Sequence, residues 1–84
     1  MKVQGVVLVK AEERATAAVV DRLCQFQDTA TFTVEKAYRL ARPSEEANII
    51  AIVTATTIEA FEGFVEFVGT LIGVQNYRPF LSTA

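Results

Sequence analysis

The chain has no histidine, no tryptophan and one cysteine among its 84 residues. Lack of histidine removes the commonest general base, the Ser-His and Cys-His dyads and nearly all zinc-site chemistry, so a metal would have to rest on carboxylates. The lone Cys24 can form no internal disulfide, and its place in a helical apolar pattern reads as a small core residue. Gly5, Gly63, Gly69 and Gly73 follow neither the Walker nor the dinucleotide spacing, which leaves no phosphate cradle. No run approaches the ~18 apolar residues of a membrane span, and Met1-Lys2 leads into a short strand rather than a signal-peptide core. Basic residues are scattered from Lys2 to Arg78, the net charge is −2 and the pI is about 5.0. A duplex-binding surface concentrates its cations, so no direct nucleic-acid partner is expected. The expectation is a cytoplasmic protein with no cofactor, no metal and no membrane contact.

What is present is apolar surface. The composition is 51% hydrophobic with 21% charged residues and a mean hydropathy of +0.30. A domain of this size buries roughly 60 to 65% of the surface of its unfolded chain, so such a balance leaves apolar area over for an interface.

Four strand-like segments differ in how that surface is arranged. Residues 3–9 and 49–53 offer apolar side chains to both faces of a sheet, as central strands do. Residues 31–41 and 74–82 mix apolar with charged residues. Lys36 breaks the apolar file of the first, as an edge strand or a bulge would, and Pro79 demotes the second to an edge. In the first, Phe32, Val34, Tyr38 and Leu40 alternate with Thr33, Glu35, Ala37 and Arg39.

Two helical patterns separate the strands. From Ala11 to about Gln25, Ala15, Val19, Leu23 and Phe26 recur at steps of four and three, with Glu12 and Glu13 complementing the helix dipole. The second helix opens at Thr56 with Glu59 in capping-box spacing, and Gly73 is its C-terminal cap. Ile58, Phe61, Phe64, Val65, Val68, Leu71 and Ile72 form one apolar arc, Ala60 and Phe67 its margins, and Glu59, Glu62 and Glu66 a solvated face. Gly5 reads as a close approach within a central strand, and Gly63 and Gly69 as thin points on the helix. The order βαββαβ is the ferredoxin-like split arrangement, α+β, expected as a four-stranded antiparallel sheet of order 4-1-3-2 with both helices on one face. The whole chain, residues 1–84, reads as one such domain. Its other face then needs a cover, and a second copy packed sheet to sheet supplies one.

Polar candidates gather around the sheet. Arg39, Arg42 and Asn48 flank the hairpin loop between the second and third strands, and Tyr77 and Arg78 lie on the fourth. Arginine binds a carboxylate with a two-pronged fork, while Tyr and Asn orient a ligand. Salt bridges to Glu45 and Glu46 in the loop, or to a neighbouring subunit, are the competing use of these arginines.

Val6-Val7-Leu8-Val9-Lys10, Val34-Glu35-Lys36-Ala37-Tyr38, Ile49 through Ala55 and Leu71-Ile72-Gly73-Val74 together resemble the effector-binding RAM domain of the Lrp/AsnC regulators, in its stand-alone form. Where that family usually carries a Gly-aromatic-Asp element between the second and third strands, this chain reads Arg42-Pro43-Ser44-Glu45-Glu46-Ala47-Asn48. The resemblance implies a dimeric α/β barrel, often assembled further. The leading expectation is a regulatory, small-molecule-sensing homo-oligomer that takes amino acids or small carboxylates between subunits. A small dimeric α/β-barrel enzyme, a monooxygenase or isomerase, is the alternative, disfavoured by the missing histidine. A peptide-gripping assembly chaperone is the third class, and Pro79 argues against strand addition at the last strand.

Overall fold

Valine-rich Val3–Ala11 forms strand β1, because β-branched side chains suit a pleated surface. The computed structural model describes residues 2–25 and 30–83. Chain order continues with a 3-10 turn at Glu13–Ala15, α1 at Thr16–Cys24, β2 at Phe32–Arg39, β3 at Ile49–Ala55, α2 at Ile58–Thr70 and β4 at Val74–Thr83. The strands form one antiparallel sheet of order β2-β3-β1-β4. This is the expected ferredoxin-like α+β arrangement, with the two double-sided strands in the centre.

Alternation divides the sheet into two faces. On the helix face, Val3, Val7 and Val9 of β1 and Ile49, Ala51 and Val53 of β3 are wholly buried. They meet Val19 and Leu23 of α1 and Phe61, Phe64 and Val68 of α2 in a single core. Phe32 packs edge-on against Phe64, with ring centroids 5.1 Å apart, a favoured aromatic geometry.

Gly5 marks the tightest point of that core. A β-carbon there would overlap the Phe61 ring, so the missing side chain is what lets α2 lie against β1. Gly5→Ala is expected to cost about 1–3 kcal/mol, the range for overpacking a filled core. Urea unfolding of Gly5→Ala, Phe61→Leu and the double variant checks this: the double should lose less than the two singles combined, since the smaller side chain makes room for the added methyl. Gly69 is a similar thin point, where a β-carbon would lie 2.9 Å from the Tyr77 ring. Gly63 is not one, because nothing lies within 4 Å of a β-carbon there.

Several boundaries depart from the sequence reading. Ala11 is the last residue of β1 rather than the first of a helix, and α1 starts at Thr16. The cause lies far along the chain: the Asn48 side chain takes the Ala11 N–H at 3.0 Å and donates to the Ala11 carbonyl at 2.8 Å, and the Glu12 N–H bonds the Gly73 carbonyl. The Phe26 end of the expected stripe lies outside the described residues. Thr57, not Thr56, caps α2, its hydroxyl oxygen accepting the Ala60 N–H at 3.0 Å. Glu59 therefore sits one position short of the capping-box place. The helix ends at Thr70 with Leu71 as its cap, and Gly73 serves the following turn at φ 96°, a left-handed conformation that favours glycine. Ile72, placed by periodicity in the buried arc, is 94% exposed because it falls in that turn.

In β2 the register slips between Val34 and Lys36. Glu35 is the extra residue of a bulge, which reverses the phase of everything after it. Ala37 and Arg39 therefore join Phe32 and Val34 on the helix face, while Tyr38 turns to the other. Cys24 is half-buried at the seam between α1 and β2, its thiol 3.8 Å from the Ala37 carbonyl. No helix among the described residues is long and apolar enough to cross a membrane.

Candidate functional site

The face of the sheet away from the helices carries an apolar band. Register places Tyr38, Ile50, Leu8 and Arg78 in one row across the four strands, and Lys36, Ile52, Val6 and Phe80 in the next. A polar row of Thr33, Thr54, Gln4 and Ser82 borders the band on one side, and Lys10 with Asn76 borders it on the other. Tyr38 and Phe80 are 45% and 52% exposed. The two cations close their rows at opposite corners, where a long stem covers apolar surface and the charged head reaches water.

At one end of the sheet lies a pocket of about 660 Å³. The C-terminal end of β1 and the turn after it supply Lys10, Glu12, Glu13 and Arg14, α1 supplies Thr16, and Arg39, Leu40, Pro43 and Asn48 close it from β2 and the loop before β3. Antiparallel topology brings these segments together, since the end of β1 lies beside the start of β3 and the start of β4. Three cations and two carboxylates around one opening suit a small ligand carrying both signs of charge. Among the described residues no group of three or more Cys, Asp or Glu side chains could hold a metal ion.

The loop that walls this pocket is well tied. Ser44 bonds its N–H to the Ala47 carbonyl at 2.8 Å, while its hydroxyl oxygen accepts the N–H groups of Glu46 and Ala47. The Lys10 ammonium donates to the Ser44 carbonyl at 3.0 Å. Arg78 lies 4.0 Å from Glu46, with both side chains mostly in solvent, a geometry that adds little stability.

The five residues singled out from sequence do not share one site within a chain. Arg39 and Asn48 line the pocket. Arg42 is exposed in the loop. Tyr77 lies on the helix face against Gly69 of α2, and Arg78 lies on the opposite face beside Glu46. Tyr77 and Arg78 are consecutive strand residues, so the period of two alone separates them. Asn48 is buried, and its bonds to Ala11 leave one amide hydrogen and one oxygen lone pair. Lys10, Glu12, Glu13, Arg14 and Thr16, which sequence reasoning missed, also line the pocket, as do Ala11, Leu40, Pro43 and Gln75. The signal was available in the topology, which sets the end of β1 next to the loop already under suspicion.

No protein-family model matches the chain, and no curated protein matches it. Solved structures do. TTHA0845 from Thermus thermophilus superposes with a TM-score of 0.80 at 17% identity, covering 98% of this chain and 94% of that one. FFRP-DM1 gives 0.76 at 17% identity over 95% and 97% of the two chains. A protein of unknown function from Bacteroides fragilis NCTC 9343, described as dimeric and ferredoxin-like, gives 0.67 at 10% identity over 99% and 96%. At these identities the likeness establishes the fold.

Proposed function

We propose that this chain is a ligand-responsive regulatory module that pairs through its open sheet face and binds amino acids or other small carboxylates in the pocket at the end of the sheet, between subunits. The observation that carries the reading is the pocket itself: Lys10, Arg14 and Arg39 face Glu12 and Glu13 around about 660 Å³ of space. Arg39 takes the ligand carboxylate, Glu12 or Glu13 takes an ammonium group where one is present, and Asn48 orients the ligand with its spare amide hydrogen. Arg42 and Arg78 enter only through a neighbouring subunit or the loop they adjoin, and Tyr77, packed against α2, does not enter. A second copy is the natural cover for the open face, since its apolar band is bounded by polar rows in the way an interface core is bounded by a rim. The dimeric description of the Bacteroides protein, which shares the fold, supports the pairing.

A thermal-shift screen with amino acids and simple carboxylates tests it. One of them at about a hundred times its dissociation constant should add about 2.7 kcal/mol, which in a domain of this size raises the midpoint by roughly 10–20 °C. Arg39→Gln should abolish that shift while leaving the unliganded melting temperature within a few degrees. Stabilisation by a peptide alone, or a carboxylate response that survives Arg39→Gln, would sink the assignment.

A further inference from the structure

The free edge of β4 has been closed at two successive positions, and we infer that Asn76 and Pro79 together act as an edge guard that keeps copies of this chain from adding strand to strand. Val7 pairs with Pro79, and proline has no N–H, so the ladder bonds in this stretch belong to the flanking pairs Val6 with Phe80 and Leu8 with Arg78. Even-numbered residues of β4 therefore point their N–H groups at β1. Odd-numbered ones, from Tyr77 to Thr83, point theirs outward along the edge.

An incoming strand would look for those outward donors, spaced two residues apart. At Tyr77 the N–H is already bonded to the Asn76 side-chain oxygen at 2.9 Å. At Pro79 there is no hydrogen to give. The central part of the edge thus offers no donor, while Leu81 and Thr83 beyond it do. The opposite edge is managed differently: the Glu35 bulge interrupts β2, and α1 packs beside it where Cys24 reaches the Ala37 carbonyl. With both edges obstructed, the apolar face is left as the route for self-association, and assembly by faces closes at a finite size whereas assembly by edges does not. This inference stands independently of any ligand.

The test is an Asn76→Val/Pro79→Val variant, which restores both donors and adds β-forming side chains. Analytical ultracentrifugation across a hundredfold concentration range should show the wild-type chain levelling off at a fixed mass, while the variant at least doubles its mean mass and gains the infrared signature of intermolecular sheet. An equally finite variant with a native circular dichroism spectrum would overturn the inference. Should the double variant fail to fold, amide exchange in the wild type and in Asn76→Val decides the Asn76 half. The Tyr77 N–H should exchange at least tenfold more slowly than that of Leu81, and Asn76→Val should erase the difference. Equal rates in the wild type would remove the guard at Asn76.

Discussion

On the proposed pairing of open faces, Ile52→Asp is expected to give monomers that keep their secondary structure. Ile52 and Ile50 stand in the two apolar rows of the open face and are only half-buried within one chain, so a carboxylate at either position meets water in the isolated subunit and leaves the core of Phe64, Leu23 and Ile49 intact. Against a second sheet the same carboxylate is buried without a partner. Loss of an isoleucine's burial is worth about 1.5–3 kcal/mol, and a two-fold interface counts it twice. Together with the cost of desolvating two charges, the dimer should weaken by at least ~100-fold, since each 1.4 kcal/mol is a factor of ten. Sedimentation equilibrium, read beside far-ultraviolet circular dichroism, checks both halves. A variant that keeps its wild-type mass would show that the open face is not the interface. One that unfolds would show that the face is needed for the fold itself.

The order of strands and the choice of covered face were legible because each rests on a repeating pattern. Apart from Gln4, residues 3–9 and 49–53 are apolar at odd and even positions alike, and only the centre of a sheet accommodates that. Where the sequence reading went astray, the deciding contact came from a distance or from a single inserted residue. Nothing near Ala11 announces that Asn48, 37 positions later, will clamp it as the end of a strand. In the run from Thr31 to Ala41 the break at Lys36 fits an edge strand as well as a bulge, and the structure has both: the bulge residue is Glu35, and its place decides which face Tyr38 and Arg39 occupy. The pocket suffered from both effects. Its cations at Lys10 and Arg14 lie on either side of Ala11, where the first helix was expected to begin, and they meet Arg39 only because β1 runs on to Ala11 and β2 changes phase.

That clamp supports the second large prediction. Asn48→Leu is expected to destabilise the chain by about 2–5 kcal/mol, because it leaves the N–H and the carbonyl of buried Ala11 without partners, at roughly 1–3 kcal/mol each. For a domain of this size the melting temperature should fall by roughly 8–40 °C. Asn48→Asp separates the two bonds: its carboxylate still accepts the Ala11 N–H, but when ionised it sets a buried charge against the Ala11 carbonyl oxygen instead of donating to it, so its loss should be largest at neutral pH and should shrink as the pH falls and the acid gains a proton to donate. Denaturant unfolding of the three proteins between about pH 4 and 7, spanning the ordinary carboxylate range, reads both effects. The same residue lines the pocket, so the clamp and the candidate site share a foundation: the bond that ends β1 at Ala11 also sets where Glu12, Glu13 and Arg14 face Arg39. If leucine at this position melted within a degree or two of wild type, the clamp would not be what holds that corner of the sheet, and the arrangement of charges around the pocket would need another cause.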